Sequence, residues 1–109
     1  MNTLDEIADD YSRHARSDFV GLWQIASRVR EDLGLTNNAG VRAETLLVVK
    51  RLLEGGLRPG DYLRTGFAPW DETSADSIIA RISNEWDTGR GDPTLADPIC
   101  WFARASERQ

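Results

Sequence analysis

The chain is organised around residues 44–56, ETLLVVKRLLEGG, the most apolar run of the sequence. On a period of 3.6 residues its apolar side chains fill one broad arc, and most of its charged side chains fall on the other side. An arc this wide predicts a central helix, at residues 40–56, that neighbours contact on more than one flank. Gly55 and Gly56 are typical of the left-handed conformation that ends a helix.

A second apolar repeat, in steps of three or four residues, extends from Leu4 to Leu33 and predicts a helical front half at residues 1–34. Thr3 and Glu6 have the spacing of a capping box, so we expect the helix to begin at Leu4. One continuous helix of this length would span about 45 Å, which is long for so small a chain. We therefore expect a bend or break near residues 16–18.

Residues 57–103 predict a strand, a loop, a helix and a final strand. Pro59-Gly60 is typical of a turn, and residues 62–65 have the composition of a short strand. Apolar residues then recur at helical spacing after a cap at Thr73 or Ser74, and residues 99–103 indicate a buried strand. The predicted fold is a single α+β domain over residues 1–109. It is predominantly α-helical, with three to four helices and a small two-stranded C-terminal element.

Composition limits the class of protein. The chain has 109 residues, a net charge of −5 and a single cysteine, which excludes an internal disulfide framework. Its apolar runs are far shorter than the roughly 20 residues of a membrane span, and acidic residues interrupt the N-terminal stretch where a signal peptide would be apolar. We therefore expect a cytoplasmic protein that does not contact a membrane.

The charges are unevenly distributed along the chain. Residues 67–98 carry seven acidic and two basic side chains, a balance that repels phosphate backbones and attracts a basic partner. We therefore expect no binding to nucleic acid. The alternative is a winged-helix-like regulatory protein, because residues 35–66 carry five basic and three acidic side chains. Its basic face would consist of Arg42, Lys50, Arg51, Arg58 and Arg64.

The sequence shows no catalytic constellation. His14 has Asp10 and Asp18 four residues to either side, but no nucleophile or metal ligand is near in sequence, so a surface histidine is the simpler interpretation. Cys100 lies in an apolar stretch, where a thiol is inert. One cysteine and one histidine do not make a zinc site, and phosphate-binding motifs are absent. We expect no enzyme, no cofactor and no metal; an enzyme centred on His14 is the alternative.

Aromatic and acidic residues alternate in the second half of the chain, and exposed aromatics beside carboxylates suit a basic protein partner. The alternative, that the aromatic residues are core and the acids only solubilise the chain, stays open. The residues predicted to bind the partner are Tyr62, Phe67, Trp70, Asp71, Glu72, Asp76, Trp86 and Asp87.

The same half contains a recurring pattern of aromatic residues and tight turns. It consists of Pro59-Gly60-Asp61, Phe67-Ala68-Pro69-Trp70, Ile82-Ser83-Asn84-Glu85-Trp86, Gly91-Asp92-Pro93 and Asp97-Pro98-Ile99-Cys100-Trp101-Phe102. Over residues 57–103 it resembles small, largely uncharacterised bacterial proteins of one domain, some of which look like immunity proteins of polymorphic or contact-dependent toxin systems. The resemblance implies a protein that binds and masks a basic toxin or effector, without catalytic residues. A homodimer, in which two copies cover each other's aromatic residues, is a further alternative.

Overall fold

The computed structural model of the chain describes residues 3–87, 93–94 and 98–104. The prediction of an α+β fold that is mainly helical is confirmed. In chain order the elements are α1 (Thr3–His14), β1 (Val20–Gly21), α2 (Leu22–Leu33), α3 (Asn38–Glu54), β2 (Leu57–Leu63), β3 (Gly66–Pro69), α4 (Ala75–Asp87) and β4 (Trp101–Arg104).

Helix α3 is the central element, as its apolar arc predicts. It packs against α1, α2, α4 and β2. Its N-terminus is capped by Asn37, whose side-chain oxygen accepts a hydrogen bond from the Gly40 N–H at 2.6 Å. At the other end the Gly55 N–H donates to the Arg51 carbonyl. Gly56 has a positive φ, which ends the helix and directs the chain towards β2. The helix therefore lies two residues earlier than predicted at both ends.

The predicted break in the front half is confirmed, but the chain does more there than bend. Helix α1 ends at His14, and after a turn Val20 and Gly21 form an edge strand before α2 begins. The Gly21 N–H donates to the side-chain oxygen of Gln24 at 2.7 Å, which satisfies one of the free donors at the start of α2. The front half is therefore two helices with a strand between them.

The strands form one antiparallel sheet in the order β1-β4-β2-β3. The prediction of a two-stranded C-terminal element is wrong, because the sheet has four strands among the described residues and one of them, β1, comes from the front half. This strand has only two residues, and the helical repeat around it continues through its position. The apolar period alone therefore gives no sign of it.

The predicted turn at Pro59-Gly60 is also wrong, since both residues lie within β2. The Pro59 carbonyl accepts a hydrogen bond from the Trp70 N–H at 3.0 Å, just beyond the end of β3. In a strand the N–H and C=O of one residue point to the same neighbour, so the donor that proline lacks would face the end of β3 and not β4. The hairpin turn is instead Arg64-Thr65, followed by Gly66 at φ 121°.

The core lies between the helices and one face of the sheet. Its largest fully buried side chains come from every layer, and they include Ile7, Leu22, Ile25, Leu52, Leu57, Ile78, Ile82 and Phe102. Among the described residues there is no helix with the length and apolar character to cross a membrane. Residues 91, 92 and 97 of the pattern behind the resemblance lie outside the described residues.

Candidate binding surface

The register of the sheet assigns alternate residues to opposite faces. Val20, Phe102 and Pro59 pair in one row across β1, β4 and β2, and all three are buried towards the helices. The next row, Gly21, Trp101 and Gly60, therefore lies on the opposite face. Side chains on this second face point away from the core row.

Four aromatic side chains meet on this second face, and we call them the aromatic face: Phe19, Tyr62, Phe67 and Trp101. The Phe19 ring is stacked on Phe67 with centroids 5.3 Å apart and planes 19° apart. The ring centroids of Phe19 and Tyr62 are 5.1 Å apart, and those of Tyr62 and Trp101 are 6.0 Å apart. These separations are those of favourable aromatic pairs. The four rings therefore form one continuous cluster contributed by β2, β3, β4 and the residue that precedes β1.

Two glycines beneath the rings make this arrangement sterically feasible. A Cβ on Gly60 would lie 2.5 Å from the Ala68 carbonyl oxygen and 2.6 Å from the Phe67 ring. A Cβ on Gly21 would lie 2.6 Å from the Trp23 ring and 3.1 Å from Trp101. Real side chains do not approach so closely, so the rings occupy the space that side chains at these glycines would need. They are thus held close to the backbone of the sheet.

The aromatic face is accessible to solvent. Tyr62 is 58% exposed, and the other three aromatic residues are half-buried. The indole N–H of Trp23, beside Gly21, is buried without a hydrogen-bond partner. An exposed aromatic surface fixed on a rigid sheet is the composition and setting of a protein-binding hot spot.

The structure divides the residues that the sequence predicts as a partner-binding set. Tyr62 and Phe67 lie directly opposite each other across β2 and β3, on the aromatic face. Trp70 and Trp86 are in the core, 6% and 5% exposed. The four acidic members lie between and after these tryptophans: Asp71 and Asp76 are exposed, Glu72 is half-buried, and the side chain of Asp87 lies outside the described residues.

Arg81 accounts for the half-buried Glu72 and covers Trp70. Its guanidinium carbon lies 3.6 Å from the centroid of the Trp70 ring, and the group also binds Glu72 at 2.9 Å and Glu85 at 3.1 Å. A backbone hydrogen bond within Glu72, together with that of Arg81, holds the pKa of this carboxyl below its usual value. Trp70 is therefore an aromatic ring whose cationic partner is already supplied within the chain.

The residues considered for catalysis do not form a site. His14 is exposed at the end of α1, and Asp10 instead binds Arg28 at 2.7 Å and also Arg13. Burial raises the pKa of the Cys100 thiol far above its ordinary value, so the group is an unreactive part of the core. Within residues 3–87, 93–94 and 98–104, no cluster of three His, Cys, Asp or Glu side chains could hold a metal ion.

The basic residues of the winged-helix alternative are partly engaged within the chain. Arg51 binds Asp5 at 2.7 Å, and Arg58 donates to the Glu72 carbonyl oxygen at 3.4 Å. Lys50 and Arg64 are exposed on α3 and on the hairpin turn, which are separate elements. Pairing of this kind reduces the positive charge that a nucleic-acid backbone would meet.

Sequence reasoning misses half of the aromatic face. Phe19 belongs to the helical repeat, and its position at the start of a strand follows only from the tertiary pairing of β1 with β4. Trp101 is predicted to lie in a strand with apolar residues on both faces. Because the helices cover only one face of a sheet, this pattern is the signal in the sequence for an aromatic surface on the other face.

Comparison of the chain with protein-family models, curated proteins and solved structures gives no match in any of the three.

Proposed function

We propose that the protein is a protein-binding module, and most concretely an immunity-type inhibitor that binds and masks a basic toxin or effector. The observation that carries the proposal is the aromatic face, a cluster of four rings on one face of the sheet whose most exposed member is Tyr62. Buried aromatic anchors supply most of the affinity of protein interfaces, and rigid ones lose little side-chain entropy on binding.

The negative net charge of the chain favours a partner with a positive net charge. The net charge is −5, and the exposed carboxylates of Asp71 and Asp76 lie in the segment between β3 and the first turn of α4. Opposite charge on a partner raises the rate of association more than the strength of the final complex. The aromatic face would therefore determine how slowly the complex dissociates, and the acidic residues how fast it forms.

The experiment uses the purified full chain as bait in a lysate of the source organism. We expect it to retain one basic protein in stoichiometric amount and to capture it more slowly at high salt. Tyr62→Ala and Phe67→Ala should each weaken that complex by about 30-fold or more, the effect of removing a hot-spot side chain. The matched control is Leu47→Ala, because Leu47 is another exposed apolar residue, at 47%, and lies on α3. Equal affinity of all three variants would refute the aromatic face as the interface.

Charge reversal tests the second part of the proposal. Asp71→Lys and Asp76→Lys should slow association several-fold and reduce its dependence on salt, with little change in the dissociation rate. Association kinetics that do not change would contradict the role of the acidic residues. A stable homodimer in sedimentation experiments, dispersed by Tyr62→Ala, would instead show that a second copy covers the aromatic face.

A further inference from the structure

The aromatic face offers ring surfaces to a planar group. Phe67 lies close to Gly60 and Trp101 close to Gly21, and Phe19 is stacked on Phe67. Tyr62, the most exposed of the four, lies between Trp101 and Phe19. The electron-rich face of an aromatic ring attracts a cation, and a flat cation also makes close contact with the ring.

A fixed carboxylate adjoins these rings. Asp18 and Phe19 line one recess just before β1, and the Phe19 N–H donates at 2.7 Å to the exposed Asp18 carboxylate. One of its oxygens remains able to accept from a ligand. The recess has a volume of about 250 Å³ and opens between residues 15–19 and residues 103–104. Ring, carboxylate and recess therefore lie together at one end of the aromatic face.

The chain already contains one closed example of this combination. At Trp70 the Arg81 guanidinium carbon lies 3.6 Å from the ring centroid, and the carboxylates of Glu72 and Glu85 bind the same group. The aromatic face has rings and a carboxylate but no guanidinium between them. A bound partner would supply the guanidinium that Arg81 supplies at Trp70. Arginine fits better than lysine because its planar guanidinium stacks on a ring and binds a carboxylate with two donors at once.

We propose that the aromatic face and Asp18 bind an arginine side chain of the basic partner. This inference rests on the proposed function and adds the anchoring group to it. The net charge of −5 favours a cationic segment over an anionic one. Arg16 and Arg104 also line the recess and both oppose a cation there, and the Arg104 guanidinium donates to Ser12 and Gly55. Replacing Arg16 should therefore strengthen binding.

The test titrates the full chain with three short peptides whose termini are blocked by acetylation and amidation. The peptides differ only at the central residue, which is arginine, lysine or citrulline. Citrulline keeps the planar shape and removes the charge. Binding is followed by the NMR signals of the Trp101 indole and the Tyr62 ring. We expect the arginine peptide to bind about two- to fivefold more tightly than the lysine peptide, and more tightly still than the citrulline peptide. Equal binding of all three peptides, or of none, would overturn the inference.

Variants then locate the site. Asp18→Asn and Phe67→Ala should each weaken the arginine peptide several-fold, and Arg16→Gln should strengthen it. Glu31→Gln is the matched control, since it removes an exposed carboxylate on α2 that has no part in the proposed interface, and it should change nothing. Weakening by Glu31→Gln with no effect of Asp18→Asn would assign the cation to α2 and overturn the inference. Tighter binding of a thymidine oligonucleotide than of the arginine peptide would replace the arginine with a nucleic-acid base.

The two proposals fail in different ways. If a basic protein binds but Asp18→Asn leaves its affinity unchanged and Asp71→Lys lowers it, the anchoring arginine is refuted and the proposed function stands. If the arginine peptide binds as described but the bait retains no basic protein, the proposed function is refuted while the site remains.

Discussion

The two faces of the sheet are made of alternate residues of the same strands, and they differ in what covers them. On one face Val20, Pro59 and Phe102 are sealed by the helices. On the other, Trp101 and Tyr62 belong to a ring cluster that solvent reaches. A helix-covered face stabilises the chain by burial, whereas an exposed aromatic face keeps its apolar area for a partner. The comparison predicts that substitutions of similar size on the two faces have very different effects.

The largest effect is expected for Phe102→Ala. Phe102 is fully buried, so its truncation should lower the free energy of unfolding by about 3–5 kcal/mol through lost burial and a residual cavity. Tyr62→Ala removes a ring of similar size from the exposed face and should cost less than about 1 kcal/mol. Guanidinium denaturation of both variants measures the difference. Similar losses in the two would show that the faces are not distinct in packing.

The second prediction concerns the floor of the aromatic face. Gly60→Ala should destabilise the chain by about 1–3 kcal/mol, because the new Cβ meets a backbone oxygen and the Phe67 ring. The tryptophan fluorescence of this variant should also change, because Trp101 pairs with Gly60. Gly55→Ala is the control, since Gly55 has φ −85° and its Cβ would have 3.5 Å to the nearest backbone oxygens. That variant should be neutral or slightly stabilising; an equal loss in both would contradict the steric argument.

The difference between buried and accessible residues can also be tested by changing the pH, at two consecutive residues of the chain. Trp101 lies on the aromatic face, and Cys100 is buried with a raised pKa. The unfolded thiol has a pKa of about 8.5 while the folded one stays protonated, so stability should fall as pH rises, by about 1 kcal/mol between about pH 8.5 and 9.5. Denaturation between about pH 8.5 and 9.5 should show this slope, and Cys100→Ala should abolish it.

Burial also raises the pKa of Tyr11, whose contribution has the same sign. Its unfolded pKa is about 10, so this contribution begins above the measured range and is shared by both proteins. A slope that persists in Cys100→Ala would therefore show that the thiol is not the group responsible.

The smallest effect is expected where an arginine already covers a ring. Arg81→Lys should lower the free energy of unfolding by about 1 kcal/mol, because lysine cannot stack on Trp70 and bind Glu72 and Glu85 together. Arg28 is the comparison: it pairs with two carboxylates, but its guanidinium lies 5.8 Å from the Tyr11 ring. Arg28→Lys should cost less. The reverse order would show that ring contact adds nothing to these ion pairs.

Local patterns in the sequence predict much of the helical framework. The apolar arc of α3, the serine cap of α4 and the break after α1 are all found in the structure. Ser74 accepts a hydrogen bond from the Ser77 N–H at 3.1 Å, as a cap does. These features depend on residues within a few positions of one another, so a single sequence contains the information needed.

The candidate site could be predicted only in part. Tyr62 and Phe67 were in the predicted set because aromatic residues stand out by composition. Phe19 and Trp101 were not, because they meet the others only after residues from the two ends of the chain pair in β1 and β4. Trp70 and Trp86 have the same chemistry as Trp101, and composition alone cannot show which side of an element is covered.

By itself the sequence determined the helical periods, the glycines that end α3, the serine cap of α4 and the net charge of −5. Each follows from side-chain type and short-range spacing. The tertiary structure alone decided that Pro59-Gly60 lies inside a strand, that Trp70 is covered by Arg81, and that four rings share one exposed face. These outcomes depend on long-range register and on which surfaces bury each other, because alternate strand residues face opposite sides only once the pairing is fixed.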